Sequence, residues 1–188
     1  MILPIYAYGH PVLKRRAVDV PTDDPALPQL LEDMWETMYN ASGIGLAAPQ
    51  IGKSLRIFLV DTEQIREEED EGETGLKRAF INAHKVAEEG EEWAYEEGCL
   101  SIPHVRGEVD RPERITLRYL DEDLVEHTET FEGMNARVVQ HEYDHIDGVL
   151  FTEHLKPLKR RLVNRKLDKI RKGQVRAEYR LKFYPHAK

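Results

Sequence analysis

The chain has 188 residues, 40% apolar and 33% charged, with a net charge of −8, one cysteine and twelve glycines. This length suits one domain able to bury roughly two-thirds of the surface its unfolded chain exposes, so no structural metal is needed for stability and any metal it holds is expected to serve chemistry. The solitary Cys99 excludes an intramolecular disulfide framework and gives no sign of an oxidising compartment.

The opening MILPIYAYGH has neither a basic leader nor an apolar run of signal length, and no stretch approaches a membrane span, so a cytoplasmic protein without membrane contact is expected. Residues 23 to 42 form the clearest predicted helix. Leu27, Leu30, Leu31, Met34, Trp35 and Met38 fall on one stripe, Asp23 or Asp24 can cap the start, Pro25 is tolerated in the first turn, and Gly43 ends it. GIGLAAPQIG follows, too apolar for a solvent loop, and Gly45 to Gln50 is expected to be extended.

Leu55 to Val60 reads as a buried strand, and the acidic run near residues 66 to 73 as a solvated loop or insertion. Ala79 to Ala83 and Trp93 to Tyr95 are weaker strands. Arg114 to Leu120 alternates well and Leu124 to Phe131 less regularly, which together predict an antiparallel sheet. A second helix is expected from Asn135 to about Asp147, stopped by Gly148. A third should run from about Pro157 to Lys172, burying Leu158, Leu162, Val163, Leu167 and Ile170.

Charge is uneven along the chain. Residues 156 to 188 carry 13 Lys and Arg against two acids, a balance of +11, whereas residues 1 to 155 sum to −19. A basic helix face is most often simply solvated, but phosphates attract such a face in a salt-dependent way, so a nucleic-acid-binding module is one reading to weigh.

The residues that carry chemistry are His141-Glu142-Tyr143-Asp144-His145, an H-E-x-x-H pattern inside a predicted helix. Two imidazoles four residues apart share one face and can grip one ion, while Glu142, about 100° around the helix, is placed to act on a metal-bound water as general base. The bare pattern also arises by chance, and a third ligand is required. Cys99 is the only thiolate available, and a Cys/His/His set leaves a fourth position open, as catalysis needs. A free cysteine is most often a small buried hydrophobe. Here Gly98 permits close backbone approach, and Ser101-Ile102-Pro103 reads as an extended or turning segment.

Three motifs, GIGLAAPQ at residues 43 to 50, EGCLS at 97 to 101 and QHEYDH at 140 to 145, occur in an order and spacing that resemble the peptide deformylases over roughly residues 1 to 170. The resemblance implies a hydrolase that removes the formyl group from the N-terminal formyl-methionine of nascent polypeptides and releases formate. By motif position, Cys99, His141 and His145 match metal ligands and Glu142 the catalytic acid/base. Gln50 and the backbone N–H of Leu100 match the formyl-oxygen donors, and Gly45 matches a backbone partner of the substrate. Met134, Arg137 and Val138 match walls of the methionine pocket, and Arg106 a position near the substrate. Arg137 departs from the apolar residue expected there; its stem is expected to line the pocket while its guanidinium snorkels outward. Glu97 and Arg111 are expected to pair and brace the Cys99 segment.

Fe(II) is the ion the resemblance implies, with Zn(II), Ni(II) or Co(II) able to substitute. A zincin-type peptidase is the rival enzyme, taking His154 or Glu153 as third ligand and dispensing with Cys99. The basic C-terminal helix is expected to dock near the ribosome. The expected fold is α+β: antiparallel and mixed sheet around a central metal-binding H-E-x-x-H helix, flanked by an N-terminal and a C-terminal helix. A single catalytic domain is expected over residues 1 to 172, followed by a basic tail, 173 to 188.

Overall fold

The computed structural model describes residues 1 to 65 and 74 to 185. The acidic run at 66 to 73, expected as a loop or insertion, lies outside the described residues.

In chain order the elements are β1 (Ile5–Tyr6), α1 (Leu27–Asn40), β2 (Gly45–Ala47), β3 (Ile57–Asp61), β4 (Lys77–Cys99), β5 (Ile102–Leu120), β6 (Glu126–Glu132), α2 (Gly133–Ile146), α3 (Pro157–Arg171) and β7 (Leu181–Lys182). β2 to β6 form one antiparallel sheet in sequential order, and β1 pairs with β7 in a separate parallel ribbon. The α+β class expected from the sequence is the observed one.

Alternation along the strands explains the layers, because successive side chains leave a strand on opposite faces. Phe58, Val60, Phe80, Ile115, Leu117 and Tyr119 face one side, where they meet Ala136, Val139, Tyr143 and Ile146 of α2. Ile57, Leu59, Ala79 and Ile81 face the other, against Leu27, Leu31, Met34 and Met38 of α1. A third cluster joins Ile102, Val105 and Val109 at the start of β5 to Val163, Leu167 and Ile170 of α3. α2 is buried around most of its girth, including Gln140, Glu142 and His145. Its C-terminal end is tied to the sheet by Arg56, 2% exposed, which donates to Asp147 Oδ1 (2.8 Å), the Tyr143 hydroxyl (3.0 Å) and the Ala83 carbonyl.

Several expectations are revised. The first helix is shorter: Asp24 accepts the Ala26 N–H in the preceding turn (2.9 Å), Ala26 occupies the cap, and Ser42, not Gly43, takes the left-handed conformation after the helix (φ 55°). Only Gly45–Ala47 of the expected extended segment is a strand; Ala48–Ile51 turns as a 3-10 helix. The two weak strands at 79 to 83 and 93 to 95 are one strand, β4, bulged at three points before its last turn. Its exposed middle, rich in Glu, has no apolar alternation to read, and its ladder with β5 supplies the order that pattern lacks. β5 likewise begins twelve residues earlier than expected, because Arg111 occupies an inward position and masks the alternation Val105, Gly107, Val109.

On α3, Leu158 and Leu162 are exposed (72% and 68%), contrary to the expected stripe. The buried set is Val163, Leu167 and Ile170, at steps of four and three, and Leu158 and Leu162 fall on an adjoining face. The segment after α3 returns to the body: Ile5 N–H donates to Arg180 O (2.8 Å) and Ala7 N–H to Lys182 O (2.9 Å).

Phe80 is wholly buried, stacks on Phe58 (centroids 4.6 Å apart) and meets Tyr119 at a tilt of 46° (4.5 Å). Phe80→Ala is expected to lower stability by about 3–5 kcal/mol, measured by urea denaturation.

Candidate metal centre and active site

The three ligand candidates converge from two elements. Cys99 ends β4 at the tight turn into β5, and His141 and His145 lie one turn apart on α2. Their ligating atoms all fall within 4.8 Å of one another, with Cys99 Sγ 3.3 Å from His145 Nε2. Burial pushes the His145 imidazole down to about 3, so it is neutral with a lone pair to offer. His141 engages Glu97 Oε2 through Nδ1 (2.8 Å), which leaves Nε2 for the centre. Among the described residues no other group of ligating side chains assembles in this way. His154 is instead held by Asp144 Oδ2 (2.8 Å), and Glu153 by Lys14 and the Leu150 N–H. The ligand set of the rival peptidase is therefore not brought together.

Glu142 sits beside this group, 4% exposed, and its Oε2 is buried without a hydrogen-bond partner. Such an atom costs about 1–3 kcal/mol when unsatisfied and marks a place where a polar group belongs. Burial pushes its carboxyl up to about 7, against the opposing influence of His141. Gly45 is required opposite it, since a Cβ there would overlap the Glu142 carboxylate. The residue pattern, the neutral imidazole and the unsatisfied carboxylate fit a divalent cation with an open coordination position.

Gln50 reaches the site because the 3-10 turn carries it inward. Its Oε1 accepts the Ala47 N–H (2.8 Å), which aims Nε2 at Cys99 Sγ (3.4 Å) and Ser101 Oγ (3.2 Å). Leu100 occupies the turn beside Cys99. Gly45, Gln50, Cys99, Leu100, Arg106, Met134, Arg137, Val138, His141 and Glu142 all line one cleft of about 770 Å³, and His145 lies buried beside it. Arg106, largely exposed at the rim, is paired with Glu96 (2.8 Å).

The Glu97–Arg111 pair expected from the sequence is present and part of a larger network. Arg111 donates to both Glu97 oxygens (2.6 and 3.0 Å) and to Asp144 Oδ2 (2.8 Å). Arg137 does not snorkel: it is 2% exposed, with its guanidinium bonded to Glu97 Oε1 (3.1 Å), Val109 O (2.9 Å) and Trp93 O (2.5 Å) and stacked over the Trp93 ring at 4.3 Å. The anionic partner, two carbonyls and an aromatic face replace most of the water it would otherwise seek, although its Nε is buried without a hydrogen-bond partner. Burial alone would raise Glu97, but hydrogen bonds from His141 and Arg111 outweigh it and hold the carboxyl well below the usual carboxylate range. The sequence pattern contains Asp144 but gives it no role, which comes from Arg111 and His154; Tyr179, whose hydroxyl donates to Leu100 O, has no local signal.

Together these features define an α+β protein in which Cys99, His141 and His145, a group able to hold a cation, gather at a substrate-sized cleft. A family model described as "Polypeptide deformylase" matches residues 2–161. The peptide deformylase of Christiangramia forsetii is 52% identical over 194 residues, covering 100% of this chain and 98% of that one, and the Flavobacterium johnsoniae enzyme is 51% identical, covering 97% and 96%. The crystal structure of a peptide deformylase from Legionella pneumophila is similar with a TM-score of 0.79 at 40% identity, covering 93% of this chain and 98% of that one. That from Synechococcus elongatus, in complex with actinonin, gives 0.77 at 36%, covering 96% and 92%. The chain belongs to the peptide deformylase family. It is accordingly a hydrolase that removes N-terminal formyl groups from nascent peptides, in a family that depends on a metal.

Glu97 is the carboxylate that, among the described residues, orients His141, so Glu97→Gln is expected to weaken metal binding about 10–100-fold, read by competition with a chelator.

Proposed function

We propose that this chain deformylates formyl-methionyl nascent polypeptides with Cys99, His141 and His145 holding Fe(II), and with Glu142 as the acid/base. The observation that carries the reading is the convergence of three ligating atoms within 4.8 Å with a buried, raised carboxyl and an inward-aimed amide around them. A divalent ion bound there supplies the acidity that lets a water ionise near neutral pH. Zn(II), Ni(II) and Co(II) suit the same donors, and anaerobic metal analysis distinguishes them.

The residues divide the work. Glu142, close to neutrality in its buried setting, takes a proton from the attacking water and returns it to the leaving amine. The Gln50 amide and the Leu100 N–H meet the negative charge that develops on the formyl oxygen, where losing one donor typically costs about 2.7–4 kcal/mol. β2 is an edge strand, so the substrate backbone can add alongside Gly45 as a further strand. Met134, Val138 and the inner wall containing Arg137 receive the methionine side chain, and Arg106 stands at the mouth. Residues 1 to 172 supply every reacting and ligating group in this reading, with Ala177 to Tyr179 adding a wall of the cleft, and the enzyme acts in the cytoplasm where formylated chains emerge; among the described residues no helix is long and apolar enough to cross a membrane.

Wild-type protein reconstituted with Fe(II) is expected to release formate from a formyl-Met peptide. Glu142→Gln is expected to lower kcat about 100- to 10,000-fold with metal content retained. Formate release by neither protein under any reconstitution overturns the reading.

A second reading concerns α3. Lys159, Arg160, Arg161, Arg165, Lys166 and Lys169 are exposed, next to the exposed Leu158 and Leu162, which supports docking on the phosphate-rich ribosome surface. Arg161→Glu with Arg165→Glu is expected to reduce co-sedimentation with ribosomes while leaving formate release from a free peptide intact. Unchanged co-sedimentation rejects docking through this helix.

A further inference from the structure

The chain beyond α3 forms a strap along one side of the active-site cleft. Its end is fastened by β7 to β1, and on the way Ala177, Glu178 and Tyr179 line the same cleft as Cys99, Gln50 and Glu142. The strap also grips the beginning of β5, where His104, with a left-handed φ of 62°, bonds Arg176 O through Nε2 (2.7 Å).

The turn formed by Leu100 and Ser101 is where this matters. It lies between the paired residues Cys99 and Ile102, directly after a register shift at Gly98/Cys99, so the sheet ladder does not set the orientation of the Leu100 carbonyl. Three contacts from outside the ladder hold the turn instead. Tyr179 donates its hydroxyl to Leu100 O (2.8 Å), Tyr8 N–H donates to Ser101 O (2.8 Å), and Gln50 Nε2 reaches Ser101 Oγ (3.2 Å). Two of the three, Tyr179 and Tyr8, belong to or adjoin the ribbon that joins the two ends of the chain.

We propose that Ala177, Glu178 and Tyr179 are a working wall of the active site, and that Tyr179 is a positioning residue that orients the Leu100 backbone so that its N–H meets the formyl oxygen. The inference rests on the deformylase reading for the role of the Leu100 N–H. Orientation of a donor toward charge that develops in the transition state affects kcat more than ground-state binding. The stretch from Ala177 to Tyr179 is therefore part of the active-site wall, and it follows α3 directly in the chain.

Tyr179→Phe keeps the ring and removes the hydroxyl, and Tyr184→Phe removes a hydroxyl elsewhere on the strap. Both proteins are compared with wild type, loaded with the same metal, using a formyl-Met peptide. Tyr179→Phe is expected to lower kcat about 10-fold with KM changed less than about 2-fold, since modest misplacement of a catalytic group carries a penalty of this order. Tyr184→Phe is expected to match wild type. Amide hydrogen exchange, which needs no turnover, is expected to accelerate at residues 99 to 102 in Tyr179→Phe and nowhere else in the sheet. Unchanged exchange there overturns the positioning role even if wild type proves inactive, and unchanged kcat with active wild type does the same. A kcat loss accompanied by faster exchange throughout β4 and β5 also overturns it, because it marks general loosening of the sheet.

Discussion

One buried carboxylate holds the site together. Glu97 receives both nitrogens of the Arg111 fork, one nitrogen of Arg137 and the His141 ring, so strand β4 and helix α2 are locked at the point where their ligands meet. A lone anion at that depth would be severely penalised, and so would either arginine alone. Their mutual pairing makes the cluster tolerable, although Arg137 Nε is left without a partner. Because Arg111 also holds Asp144, α2 is braced at two positions three residues apart, one beside each end of the H-E-x-x-H turn.

The rest of the fold serves that lock. Apolar residues on both faces of the sheet bury α1 on one side and α2 on the other, which leaves α2 almost no face in solvent. That enclosure is what raises Glu142 and keeps His145 neutral, since both shifts arise chiefly from the loss of water. The glycine at position 45 completes the arrangement by conceding the space a side chain would deny to the Glu142 carboxylate. Arg56 secures the far end of the same helix to the sheet through Tyr143 and Asp147.

Where a feature depended on local periodicity it was readable beforehand. The helices around Leu31, Val139 and Leu167 follow from 3.6-residue spacing, and the two histidines four apart on α2 need only helical geometry to share a face. Where a charged residue points inward, the pattern misled. Arg111 hid the first half of β5, and Arg137 looked destined for solvent because nothing near it in sequence discloses Glu97, Val109 O and Trp93. Leu158 and Leu162 misled in the opposite sense, since apolar character does not say which of two adjoining helix faces has a partner to pack against.

The sequence by itself determined the chemistry available: one thiolate, two imidazoles at helical spacing with a carboxylate between them, and an amide in a glycine-rich segment. Those identities restrict what can bind and react, whatever the fold. Tertiary structure alone decided that Cys99, 42 residues before His141, stands within reach of both histidines, that Arg137 turns inward, and that the basic chain end returns as a wall beside Leu100. The reason is physical. Ligand spacing along a helix is a local property of the backbone, whereas burial, dielectric and the meeting of distant strands exist only once the sheet has closed over α2.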